Sequence, residues 1–189
     1  MATSDVELVS NALRLIGDDP ITALSDNSER ARLANAFYTP TLDELLRQQN
    51  WNFAQKRVTL VELATAPVWD FAHQFQLPEN PYCLYVLETS LGSDEPWRLE
   101  GRALVTDASS VSILYVARIT DVTVWDGLFA EAFTYELAFK FSYPLTRNAQ
   151  LSEVLQRESE KKFQRAKSRD GQEARMLKKF LSSSLTQVR

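Results

Sequence analysis

Few residues in this chain have types and spacings that could do chemistry. His73 is the only histidine and Cys83 the only cysteine, too few for the three or four convergent ligands a metal site needs. His73 stands among Trp69, Phe71 and Phe75, the setting of a partly buried structural imidazole, and Cys83 stands in an apolar run where a thiol is inert core. A single cysteine forms no internal disulfide and fits synthesis in a reducing compartment. No Gly-x-Ser-x-Gly elbow supplies a nucleophile, and no glycine-rich loop supplies a phosphate cradle.

Carboxylates are plentiful, so a glycosidase-type acid pair is one reading of the chain. Nothing in their spacing singles out a pair. Asp107 and Asp121 each follow a threonine at the end of a strand-like run, and Asp126 precedes an apolar helix. There a carboxylate caps backbone N–H groups and favours the helix dipole. No catalytic, cofactor-binding or metal-binding residue is assigned.

Cations are more telling in their distribution. The chain carries a net charge of −4, yet from Lys161 to the C-terminus nine basic residues face two acidic ones. That stretch has a surplus of seven positive charges, and the first 160 residues carry a surplus of eleven negative ones. An acidic body with a basic tail suggests that the tail meets something negative. Within the tail, Arg175, Met176, Lys178, Lys179, Phe180 and Leu181 combine cations with an apolar cluster and form the candidate partner-binding arm. Arg30, Arg98, Arg102 and Arg118 are scattered along the body without the aromatic interleaving of a nucleic-acid surface.

The elements that must position these residues follow from periodicity. Ser4 is a plausible N-cap with Glu7 three residues on, followed by the face Val6, Val9, Leu13 and Ile16 and a stop at Gly17. Ser28, or Asp26 before it, opens a second helix, which Pro40 should kink or split. Residues 56–63 are ambiguous, 69–77 read as irregular, and Tyr82–Thr89 reads as a strand. Trp97–Glu100, Arg102–Thr106 and Val111–Ile119 read as three more strands.

Leu128, Phe129, Ala132, Phe133, Leu137, Ala138 and Phe141 then mark a helix that Tyr135 and Phe139 make apolar almost all round, so it must be covered on most sides. Pro144 limits its length. A long polar helix follows, with the thin stripe Leu151, Val154, Leu155, Phe163 and Ala166 and with Glu153/Arg157 and Glu158/Lys162 as pairs four apart. Gly171 should weaken or end it.

The pattern is α+β: a bundle of N-terminal helices, a central buried helix and a long C-terminal helix, with a small antiparallel sheet or sandwich inserted in the middle. As one domain it divides into N-terminal helices (1–55), a β-rich insertion (56–122), the central and long C-terminal helices (123–170) and a basic C-terminal arm (171–189). The N-terminus lacks the basic region and apolar core of a signal peptide, and no apolar run reaches the length of a membrane span.

Several short motifs, in order, resemble the podophage tail tubular protein A family, the head-to-tail adaptors. They are Ile16-Gly17, Asp19-Pro20, Ile21–Leu24, the Ala/Arg-rich Glu29–Ala36, Trp51-Asn52-Phe53 and Leu77-Pro78. Trp97…Glu100-Gly101-Arg102, Leu104…Thr106-Asp107, Tyr115–Arg118, Trp125-Asp126…Phe129 and Pro144-Leu145-Thr146 follow. The resemblance covers about residues 4–170. Glu79-Asn80-Pro81 departs from it by lengthening a turn, and the tail beyond Gly171 has no counterpart.

The resemblance implies a structural connector rather than an enzyme, with no cofactor. It implies a ring of about twelve copies beneath the portal protein of a virion, made in the cytoplasm of a bacterial host. The next tail component, a nozzle or tail tube, would dock below, with viral DNA passing through the channel without specific binding, and with no membrane partner. The other readings of the residues are a glycan hydrolase using a carboxylate pair and a DNA-binding module using the basic tail.

Overall fold

The computed structural model describes the backbone of residues 4–186 and the side chains of residues 4–173. The fold is α+β, with four helices and two small antiparallel sheets among the described residues. The chain forms two compact units: a helical unit from residues 1–53 and 120–189, and a β unit from residues 54–119.

The helical unit begins with α1 (Asp5–Leu15), capped by Ser4, whose hydroxyl accepts the Glu7 N–H. Its buried face is Leu8, Val9, Ala12 and Leu13. Gly17, at φ 79°, takes the left-handed turn that ends the element, a conformation costly to any residue with a Cβ. The connector to the next helix is tied by side chains. Asp26 accepts the N–H groups of Thr22 and Ala23, Arg30 pairs with Asp18, and the Asn35 amide donates to the Leu24 carbonyl. Asp26 therefore organises the loop, while Ser28 caps α2 (Glu29–Arg47).

Pro40 neither ends nor divides α2. The proline removes one backbone hydrogen bond, but Ala34 before it and Thr41, Leu42, Leu45 and Leu46 after it are all buried, so packing on both sides holds the helix together. A short turn at Asn52–Ala54 closes the first segment.

The chain re-enters the helical unit through a turn at Val122–Val124 and Asp126, which caps α3 (Gly127–Thr146) by accepting the N–H groups of Leu128 and Phe129. No residue of α3 from Leu128 to Ser142 is exposed, as its all-round apolar pattern requires. Phe129 sits at the centre, within ring contact of Trp51, Phe53 and Trp125. The few charges on α3 are each matched: Glu131 with Lys162, and Lys140 with Glu44 on α2 and Glu136 one turn before it. Pro144 lies in the last turn, and Arg147, in the left-handed region at φ 56°, caps it.

Helix α4 (Ala149–Thr186) packs along α3. Its buried stripe is Leu155, Ser159, Phe163, Ala166 and Asp170. Two polar residues thus complete a stripe that hydropathy alone leaves short, and Val154 is exposed instead. The expected pair Glu158/Lys162 does not form. Lys162 reaches Glu131 on α3 at 2.6 Å, and Glu158 takes Lys161. Nor does Gly171 end the helix. The Arg169–Glu173 pair spans it, good helix formers follow, and the glycine's cost of about 1 kcal/mol is too small to break so long an element.

The β unit holds β1 (Gln55–Thr59), β2 (Val61–Glu62), β3 (His73–Gln76), β4 (Cys83–Thr89), β5 (Trp97–Glu100), β6 (Ala103–Thr106) and β7 (Ser112–Ala117). One sheet has the order β1-β7-β4 and the other β2-β3-β6-β5. Gln55 lies opposite Val116, so the first and last strands of the unit are neighbours. β3 falls inside the stretch that reads as irregular. Its polar residues hide a strand whose pairing with β6 is non-local. The junctions fall at 53/54 and 119/120, where the sequence alone suggests 55/56 and 122/123.

Candidate functional site

Among the described residues, His73 and the aspartates at element ends have local partners. On β3, His73 Nδ1 lies 2.6 Å from Glu62 Oε1 on the adjacent strand β2, and its ring faces Phe75. This His–Glu pair orients the imidazole on the sheet. Cys83 is buried at the start of β4. Among the described residues, no group of three His, Cys, Asp or Glu side chains could hold a metal ion.

The three aspartates at element ends cap backbone. Asp107 accepts the Ala72 N–H at 2.9 Å, Asp121 the Thr123 N–H at 2.9 Å, and Asp126 the start of α3. The Thr123 N–H and hydroxyl hold the Asp121 carboxyl below its usual range. Asp170 is different. It is 9 % exposed, and burial pushes its pKa up against the opposing effect of the Asn52 N–H it accepts.

The scattered arginines are also engaged. Arg30 holds Asp18, and Arg98 holds Asp70 at 3.2 Å. Arg102 and Arg118 both lie over the Tyr82 ring, at 4.0 and 4.6 Å, and Arg102 also donates to the carbonyls of Cys83 and Pro78. These guanidinium groups brace loops and rings of the chain itself.

The arm residues Arg175, Met176, Lys178, Lys179, Phe180 and Leu181 all fall on the backbone of α4. Their side chains lie outside the described residues. The last buried side chain described on α4 is Asp170, and the helix axis continues to Thr186, about 24 Å further at 1.5 Å per residue.

Two surface features escape a reading of the sequence. The first is an apolar groove of about 450 Å³ in the helical unit, with Leu8 and Leu15 of α1 on one wall and Ala130, Thr134 and Tyr135 of α3 on the other. Gly127 and the polar Asn11, Arg14 and Glu131 complete its lining, with Arg14 donating to Asn11 at 2.8 Å. The second is the loop before β3, where Val68 is 99 % and Trp69 76 % exposed. An irregular stretch with no periodicity gives no signal for which aromatics face solvent, and a groove needs two helices to be placed together.

The chain matches no protein-family model and no curated protein.

Proposed function

We propose that this chain is a structural head-to-tail connector of a phage virion, forming a ring beneath the portal through which DNA passes. The reading rests first on the ordered motifs that resemble the tail tubular adaptors. The observation that carries it furthest is α4. The helix continues well past its last described buried residue and takes the basic, apolar-studded stretch 175–181 with it. A helix of this kind is suited to docking on an acidic partner surface, as amphipathic helices dock in grooves.

Residues that match the resemblance have structural tasks that support it. Trp51 is fully buried and donates its indole N–H to the Leu45 carbonyl at 2.9 Å. Asp126 caps α3, and Trp125 packs on Phe129 and Phe133. The acidic excess of the first 160 residues suits a channel that must release DNA, because neutralising phosphates with Lys and Arg gives tight, salt-dependent binding. Function then comes from oligomeric geometry, with the portal above, the next tail component below and no cofactor.

The test is the mass of the purified protein alone and mixed with portal rings, for the full chain and for a chain ending at Gly171. The expected result is a fixed twelve-fold complex with the portal, lost on truncation. A full chain that ignores portal rings would defeat the reading. Equal binding by the truncated chain would remove the arm from it.

A further inference from the structure

We propose that β5 pairs edge to edge with β5 of a second copy, antiparallel about a two-fold axis at Leu99, joining two four-stranded sheets into one. The contact goes beyond the connector reading and does not depend on it.

Among the described residues, β1, β4, β2 and β5 form the sheet edges. β1 carries Lys56 and Arg57 and no acidic residue, so charge of one sign lies along it. β2 is two residues long, and the pairing of β4 with β7 shifts register twice. Such features blunt an edge against further pairing. β5 is different. It runs in unbroken register with β6, from Trp97 opposite Thr106 to Glu100 opposite Ala103, and all four of its residues are exposed.

The register of the contact follows from the hairpin. Gly101, at φ 60°, and Arg102 form the two-residue turn between Glu100 and Ala103. A two-residue turn closes on a hydrogen-bonded pair, and such pairs alternate along an antiparallel ladder. Glu100 and Arg98 therefore bond to β6. The backbone N–H and C=O groups of Trp97 and Leu99 point the other way, to the open edge, and a second β5 must bond these groups. With Leu99 opposite Leu99, Arg98 of each strand faces Glu100 of the other, giving two cross-strand ion pairs. Sliding the second strand so that Trp97 faces Leu99 sets Arg98 against Arg98. Charge thus selects one register, in which Arg98-Leu99-Glu100 is its own complement. Arg98 holds Asp70 at 3.2 Å, but its side chain is exposed, and a guanidinium has donors for a second carboxylate.

The apolar surface agrees. Leu99 lies opposite Leu104, and Leu104 opposite Phe75, so the three make a row across one face of the sheet. Phe75 and Leu104 are buried, whereas Leu99, where the row meets the edge, is 44 % exposed and Trp97 on the same face 39 %. Edge pairing brings two such rows end to end. The contact is isologous and closes at two copies, covering an edge that otherwise templates aggregation.

The experiment is sedimentation of the full chain at high concentration, for the parent, Arg98→Glu, Glu100→Arg and the double variant carrying both. Self-association of each single variant should fall about ten-fold or more, because both cross-strand pairs become like-charged. The double variant should regain it. So should an equal mixture of the two single variants, in which every facing pair is again opposite in sign. Arg98→Glu also gives up the Asp70 pair; Glu100→Arg keeps that pair and carries the same test alone. Mild oxidation of Leu99→Cys should add a covalent dimer, since facing residues of a hydrogen-bonded pair lie about 5.5 Å apart at Cα, within disulfide reach. Val61→Cys, on the edge strand β2, should give far less, and the native Cys83 is buried. A monomeric parent, a Glu100→Arg variant that associates like the parent, a mixture no better than its components, or Val61→Cys linking as well as Leu99→Cys overturns the proposal.

Discussion

Asp170 and Asn52 hold each other by two hydrogen bonds: the Asp170 carboxylate accepts the Asn52 backbone N–H at 2.9 Å, and the Asn52 side-chain amide donates to the Asp170 carbonyl at 3.0 Å. The pair fastens the end of the first helical segment to α4 across 118 residues of sequence. Its carboxyl is buried, with Asp126 and Glu173 adding repulsion, so its folded pKa lies above its unfolded one. Ionisation of this group therefore opposes folding, and its effect on stability worsens as pH rises from the ordinary carboxylate value through the raised one. Asp170→Asn keeps an acceptor without the charge. It should raise the denaturant midpoint at neutral pH, with the gain vanishing in acid. Asp170→Ala strands the Asn52 N–H and should cost about 1–3 kcal/mol. Urea titrations of the three proteins between pH 3 and 7 check both.

The Asp18–Arg30 pair has the opposite sign. The hydrogen bond from Arg30 holds the Asp18 carboxyl below its usual range. Its contribution is present above the unfolded carboxylate pKa and is lost as pH falls through the lowered folded value. Arg30→Met should lower stability modestly at neutral pH, since the pair is partly exposed, leave the strongly acid region unchanged, and so flatten the acid limb of the stability profile. A profile as steep as that of the parent below pH 4 would count against this assignment.

Phe129 is fully buried and meets three aromatic rings from two segments of the helical unit. Phe129→Ala should destabilise the protein by about 3–5 kcal/mol through lost contacts and the cavity left behind. Phe129→Leu should recover much of that. Thermal melts followed by circular dichroism distinguish the two variants.

Much of the helical unit can be read directly from the residues. Ser4, Ser28 and Asp126 cap helices because their side-chain oxygens reach backbone N–H groups a few residues ahead, and such contacts are local. The full burial of α3 follows from apolar residues around its whole circumference. What could not be read is non-local. Lys162 abandons its neighbour Glu158 for Glu131, thirty-one residues away, because that carboxylate lies against it once α3 and α4 pack. Ser159 joins a buried stripe because it can donate to Glu136 of α3. β3 is a strand because β6 lies beside it, although His73-Gln74-Phe75-Gln76 has little intrinsic strand character. The exposed Trp69 and the groove are tertiary facts of the same kind.

Gly171 offers a measurement of the helix that carries the arm. A Cβ added there meets nothing within 4 Å, and its backbone is helical. Gly171→Ala should therefore stabilise α4 by about 0.5–1 kcal/mol. Gly171→Pro should interrupt it, at about 3 kcal/mol or more. Far-ultraviolet circular dichroism should show higher helicity for the first and a clear loss for the second. If portal attachment needs a continuous helix beyond Asp170, only the proline variant should lose it.

The antiparallel pairing of β1 with β7 gives the β unit one doorway. The chain leaves the helical unit and returns to it through adjacent strands, with Gln55 facing Val116. Such an insertion behaves as a cassette. A short turn could bridge its two ends and leave every helix in its order, and a different sheet could be spliced at the same two points. The order of the helices along the chain is thus separable from that of the strands, because the excursion begins and ends on paired neighbours.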